Sequence, residues 1–282
     1  MERMIQLKIK LLLIAILVLF FSNAFAQRKN HIYTDLQEAL SDPSHVYFLK
    51  LSHKKMDSLS GEIGKLINLE DLELNNNRLK TLPPEIGKLR NLKKLNVFGN
   101  QLEKLPEEIG NLTQLEHLLL SSNKLDCLPA GICRMKALKE LSLRDNLLKS
   151  IPNELGDLVN LEQLFLSYNY LSQIPVSIGN CVLLEQLYLN NNVLSSLPPE
   201  TGHLKSLKFL YIGKNSLQRI PPEICNLDKL QELDLAYSGN IGLLASCLAD
   251  LPVLDLLYID SYSSAPYSIL SQKNFRLHVI IK

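Results

Sequence analysis

The chain contains no tryptophan, and aromatic residues make up only 6% of it. It lacks any long run of like charges, which removes the usual signature of a nucleic-acid-binding tail. Its main apolar run, "LLLIAILVLFF" at 11–21, is eleven residues long, short of the roughly 20 that a membrane-spanning helix needs. Catalytic signatures are missing as well. The six histidines, His31, His45, His53, His117, His203 and His278, show no metal-ligand spacing. There is no phosphate-binding glycine loop, no GxSxG and no metal-type cysteine cluster. Five cysteines is an odd number, so internal disulfides cannot use them all.

What is present begins with an N-terminal leader pattern. Arg3, Lys8 and Lys10 precede the apolar run, and Ala24 and Ala26 follow it in small-x-small order. This predicts a secretory signal peptide over 1–26, cleaved after Ala26. The mature chain is then expected in the periplasm, at the cell surface or in the medium. Left uncleaved, the segment would be a membrane anchor, the one route to a membrane that the sequence offers. No cysteine follows the cut site, which argues against a lipoprotein. Removing residues 1–26 takes Arg3, Lys8 and Lys10 from 30 basic residues and Glu2 from 29 acidic ones, leaving a net charge of −1. That balance gives no reason to expect nucleic acid or anionic lipid as a partner.

From residue 46 the chain repeats itself. Asn77, Asn100, Asn123, Asn146, Asn169, Asn192 and Asn215 recur at intervals of 23, and so do Pro83, Pro106, Pro129, Pro152, Pro175, Pro198 and Pro221. A full unit is "LEDLELNNNRLKTLPPEIGKLRN", with the pattern LxxLxLxxNxLxxLPxxIxxLxx. Leu72 and Leu74 alternate with period two, so they point inward from a short strand. Asn77 has a side-chain amide that can satisfy turn backbone groups, and a stacked column of such amides would pair peptide groups left open by neighbouring turns. Two prolines at the start of "LPPEIGKL" disfavour a regular α-helix, so a short extended or 3₁₀ return is expected. No unit can bury its leucines alone; stacking the units buries them against one another. At about 2 kcal/mol per buried Leu or Ile, that stacking is the main driving force.

The pattern resembles the leucine-rich repeat family, in the 23-residue form with LPxxI that is similar to bacterial and plant Ras-group-like repeats. The resemblance covers about residues 46–260. It implies an α/β solenoid, curved, with a parallel sheet on its concave face and short return segments on the other side. Met135, Cys181 and Thr201 depart from the pattern as mild core substitutions.

The expected organisation is a signal peptide (1–26), an N-terminal helical cap (27–45), eight repeats (46–229), then degenerate repeats with a C-terminal cap (230–282). In the N-terminal cap, Thr34 and Gln37 form a capping-box pattern, Leu36, Ala39 and Leu40 make the inner face, and Pro43 ends the helix. At the other end "IGLLASCLADLP" reads as helix and "RLHVII" as a final strand, with residues 261–282 sealing the array.

Function must then lie in the outward columns of the sheet. One column reads Glu70, Lys93, Glu116, Lys139, Glu162, Glu185, Lys208. It is either a docking surface or a solubilising cross-strand ladder, and the ladder reading is favoured. The central column reads Lys50, Glu73, Asn96, Leu119, Ser142, Phe165, Tyr188, Tyr211, Asp234, Tyr258. Its second half is an aromatic stripe about 19 Å long, flanked by Tyr168, Phe209 and Tyr237. Exposed aromatics of this kind mark binding surfaces; the alternative is that they pack on one another and only shield the sheet.

The sequence therefore predicts an exported, non-catalytic, cofactor-free module that binds a protein or peptide through Phe165, Tyr168, Tyr188, Phe209, Tyr211, Tyr237 and Tyr258. A glycan ligand, or a structural role without a discrete ligand, are the alternatives. His117 beside Glu140 reads as a surface pair rather than a catalytic dyad. Of the cysteine pairs, Cys225–Cys247 is the better placed to bridge and Cys127–Cys133 the worse, with Cys181 a buried core residue.

Overall fold

A computed structural model describes residues 30–239, 246–260 and 277–282. The signal peptide expected over 1–26 lies outside these residues, as do 240–245 and 261–276 of the expected degenerate repeats and C-terminal cap.

Among the described residues twelve strands form one sheet in strict chain order, every neighbouring pair parallel. They are β1 (Ile32–Tyr33), β2 (Phe48–Lys50), β3 (Asp71–Glu73), β4 (Lys94–Asn96), β5 (His117–Leu119), β6 (Glu140–Ser142), β7 (Gln163–Phe165), β8 (Gln186–Tyr188), β9 (Phe209–Tyr211), β10 (Glu232–Asp234), β11 (Leu256–Ile259) and β12 (His278–Ile281). The middle residue of each strand from β3 to β10, such as Leu72 or Leu164, is completely buried, while its two neighbours are half-exposed. That is the period-two reading realised.

Each strand is followed by a turn, and the turn has one fixed backbone requirement. The residue before the asparagine takes a left-handed φ in unit after unit, namely Asn76, Gly99, Ser122, Asp145, Tyr168, Asn191 and Lys214, and so does Tyr237 before Ser238. The asparagines then clamp adjacent units. Asn146 donates through Nδ2 to the carbonyls of Leu120 and Leu143, both at 3.1 Å, and its Oδ1 accepts from the Leu125 amide at 3.0 Å. Asn100, Asn123, Asn169, Asn192 and Asn215 repeat this arrangement. Buried turn peptides that would otherwise lose water without a partner are thereby satisfied. In the unit opening at Leu230 the slot holds Ser238, whose hydroxyl donates to the Leu235 carbonyl within its own turn.

The return segments are 3₁₀ turns, as the prolines require. Pro83 and Pro106, for example, stand just before Pro84–Lys88 and Glu107–Asn111. In most units neighbouring turns approach so closely that only glycine fits in one column between them. A Cβ at Gly156 would lie 2.0 Å from the Ser177 carbonyl oxygen, and one at Gly87 would lie 2.4 Å from that of Glu108. Cys133 and Cys225 occupy the same column.

Both ends differ in detail from the sequence reading. Helix α1 (Leu36–Ser41) exists, but its N-cap is Asp35 rather than Thr34, with the Asp35 carboxylate accepting from the Glu38 amide. The helix starts one residue later than the capping-box pattern suggested, so the carboxylate rather than the hydroxyl reaches the open amide. Strand β1 precedes it and was not expected. At the other end, Ser246–Asp250 is a 3₁₀ turn, not helix; the return geometry of the stack overrides local helical spacing. Cys247 in that turn is disulfide-bonded to Cys225, Cα to Cα 5.9 Å, while Cys127, Cys133 and Cys181 are free. The final strand lies within "RLHVII", as expected.

Candidate binding surface

Strand register settles which outward side chains are neighbours. The central column runs Lys50, Glu73, Asn96, Leu119, Ser142, Phe165, Tyr188, Tyr211, Asp234, Tyr258, each directly beside the next. The sheet face divides at Leu119 and Ser142.

On the N-terminal side, charges pair across strands. Glu70 meets Lys93 at 2.7 Å and Glu116 meets Lys139 at 2.6 Å; further along, Glu185 meets Lys208 at 2.8 Å. The hydrogen bond from Lys139 holds the Glu116 carboxyl below its ordinary range, and the bonds to Glu70 and Glu116 hold Lys93 and Lys139 above theirs. Lys94 bridges Glu73 at 3.2 Å and Asp71 at 3.7 Å. Burial nevertheless raises the Asp71 pKa, with Lys94 opposing it. His117 lies 3.0 Å from Glu140. This is a self-neutralising ladder.

On the C-terminal side, rings take over the central column, while the Glu185–Lys208 pair continues beside them. Phe165 and Tyr188 pack with centroids 5.0 Å apart, and Tyr188 and Tyr211 stack at 4.6 Å with planes 6° from parallel. All three are half-buried. The Tyr211 hydroxyl donates to the Glu232 carboxylate. Burial, then that carboxylate, raises the Tyr211 phenol well above its ordinary value; the same two causes raise Tyr188 less. Both rings stay neutral at any physiological pH. Phe209 sits in the column beside Tyr211, in register with Gln186 and Glu232. Tyr258 stands beyond Asp234, with the Lys282 ammonium 4.2 Å from its ring centroid.

The seven expected residues fall into two groups. Phe165, Tyr188, Phe209, Tyr211 and Tyr258 lie on strands and are half-buried. Tyr168 and Tyr237 lie on the left-handed turn column at the lip of the sheet, 44% and 49% exposed, each with φ 58°. The Arg144 guanidinium covers the Tyr168 ring at 4.9 Å. Column reading missed the next three residues along this lip. Leu147, Tyr170 and Val193 are exposed, and their amides bond successively to Leu125, Leu148 and Leu171 of the preceding units. Their signal was available: they share the position just after the asparagine, in three consecutive repeats.

Among the described residues, no group of three or more His, Cys, Asp and Glu could hold a metal. The exposed Cys127 has a raised pKa, chiefly through a hydrogen bond with Asp126, and burial pushes Cys133 and Cys181 up to about 11. None is an activated nucleophile. No described helix is long and apolar enough to cross a membrane.

A family model of the leucine-rich repeat region matches residues 29–174 and 152–260. The chain belongs to the leucine-rich repeat family. No curated protein matches it. Among solved structures, the leucine-rich repeat protein LIC12759 of Leptospira interrogans is 32% identical, with a TM-score of 0.57 over 90% of this chain and 82% of that one. A TDR receptor is 26% identical, with a TM-score of 0.67 over 78% of this chain and 42% of its own. The structure of PEPR1–AtPEP1 is similar at 30% identity and a TM-score of 0.64, covering 79% of this chain and 37% of its own. The leucine-rich repeat chain thus spans less than half the length of these last two.

Proposed function

We propose that this leucine-rich repeat protein is an exported, non-catalytic module that binds a protein or peptide on its concave sheet face, through the aromatic C-terminal half. The observation that carries the reading is the exposure of Tyr168 and Tyr237. A bulky residue at φ 58° costs about 1–2 kcal/mol, and both side chains are still left in water. Shielding of the sheet accounts for rings that stack on one another; it does not account for strained, exposed tyrosines beside them. The repeat's turn imposes this φ on every unit, so the choice of an exposed tyrosine at that position, not the φ itself, is the functional signal, and Tyr is a preferred anchor residue at interfaces.

The similarity to a receptor and to the PEPR1–AtPEP1 complex supports a protein or peptide ligand. The packing supports it too. Tyr188 has Phe165 on one side and Tyr211 on the other, so it offers an edge and a hydroxyl rather than a flat face. Sugars stack on faces, so a glycan ligand fits less well. The Cys225–Cys247 disulfide supports an oxidising compartment, and with it export.

The test is partner capture from the native host with the mature chain, against a variant carrying Tyr188→Ser and Tyr211→Ser. Capture should fall at least tenfold. Undiminished capture by the variant would remove this surface.

A further inference from the structure

Asp234 interrupts the aromatic stripe, standing in register between Tyr211 and Tyr258. Its two oxygens have separate partners. Oδ1 accepts the Ala236 amide at 2.9 Å, which fixes the carboxylate plane. Oδ2 faces outward and meets the Lys282 ammonium at 3.1 Å. That ammonium also sits 4.2 Å from the Tyr258 ring centroid. A carboxylate and an aromatic ring converging on one ammonium make the recognition geometry for a lysine side chain. Here the chain supplies the lysine itself, from 48 residues away.

The surroundings favour a cation. The outward residues of β10 and β11 and of the positions just before them are Gln231, Glu232, Asp234, Asp255, Leu256 and Tyr258, with no basic residue among them. Lys282 is 41% exposed and Asp234 14%, so the ammonium rests on the notch instead of being sealed inside it. A partly exposed pair of this kind is weak and open to exchange.

The geometry points to a lysine-accepting subsite formed by Asp234 and Tyr258. A lysine of the protein partner binds there, and Lys282 occupies it in the free protein as a displaceable internal ligand. This rests on the surface reading above, because the notch lies at the end of the same stripe. It goes further by naming the partner group and a built-in competitor.

The probe is the peptide acetyl-Gly-Lys-Gly-amide, titrated into the full mature chain and followed by NMR chemical-shift changes. Lys282→Ala should bind it at least fivefold more tightly than the parent. Adding Asp234→Asn, which keeps an oxygen for the Ala236 amide, should cost at least fivefold. Tyr258→Leu should also weaken binding, and norleucine in place of the probe's lysine should abolish it. Equal affinity of the parent and Lys282→Ala, or indifference to both Asp234→Asn and Tyr258→Leu, overturns the proposal. The titration uses no partner and leaves Tyr188 and Tyr211 intact. If their double variant loses capture while the peptide fails to bind Lys282→Ala, the subsite alone falls. If capture is undiminished, the surface reading falls, and the partner's lysine with it.

Discussion

The two halves of the sheet share one frame and carry opposite faces. From β2 to β6 the outward columns hold Lys50, Glu73, Lys94, His117 and Glu140; from β7 to β11 they hold Phe165, Tyr188, Phe209, Tyr211 and Tyr258. Beneath both, the same leucines are fully buried and the same asparagine bonds repeat. In the charged half each ion already has a partner, so an incoming protein would have to break pairs and desolvate ions to gain contacts. In the aromatic half, apolar surface is half in water and gains by being covered. A repeat thus separates the frame from the outward columns, and only columns free of the repeat's own demands can specialise.

The comparison first requires that the frames be equal. Asn100→Ala and Asn192→Ala should each lower unfolding stability by about 1–3 kcal/mol, since buried peptide groups lose their partners. The two losses should agree to within about 0.5 kcal/mol in urea denaturation. A clear inequality would mean that the face contributes to the frame.

A comparable loss is expected where the faces differ. Removing the ring stack with Tyr188→Ser and Tyr211→Ser should cost about 1–3 kcal/mol, from two ring pairs at about 0.5–1.5 kcal/mol each. Thr201 sharpens the point inside the core. It is fully buried in the isoleucine slot and its hydroxyl has no hydrogen-bond partner. Thr201→Val should therefore raise stability by about 1 kcal/mol in a thermal melt.

Tyr168→Asn should stabilise by about 0.5–1 kcal/mol, because asparagine tolerates the left-handed turn better. It should weaken partner capture at the same time. A gain in stability without loss of capture would remove Tyr168 from the surface.

The smallest effect belongs to the charged half. Glu116→Gln should change stability by a few tenths of a kcal/mol, and by nothing measurable in 1 M salt. Because its folded pKa is depressed, the Glu116 contribution is present above the ordinary carboxylate value and lost as pH falls through the lowered one. Asp71 runs the other way. Its raised folded pKa contributes stability below the ordinary value, lost as pH rises through the folded one. A stability curve through the acid range should show the Glu116 step vanish in the variant.

Repetition made the frame legible. The leucine alternation, the asparagine column and the 3₁₀ returns each follow from a residue type recurring at 23 with one physical use. The stripe was legible because the strand period tells which residues line up. The left-handed turn and the glycine column were harder to see, since both depend on how closely one unit approaches the next. Tyr168 and Lys214 give no hint that their backbone is left-handed; only Asn76, Gly99, Asp145 and Asn191 in the same column do. Single-copy features were read least well. Thr34 loses the cap to Asp35 by one residue, and Ser246–Asp250 follows the stack's return geometry rather than its own helical spacing. Nor does sequence tell that the Thr201 hydroxyl is stranded.

The most direct test is hydroxyl-radical footprinting of the captured complex against the free protein. Binding through the aromatic half predicts strong protection of Tyr168, Tyr188, Tyr211 and Tyr237, with Phe98, exposed beyond strand β4 of the charged half, oxidised as before. Protection of Phe98 with those four tyrosines unchanged would contradict it.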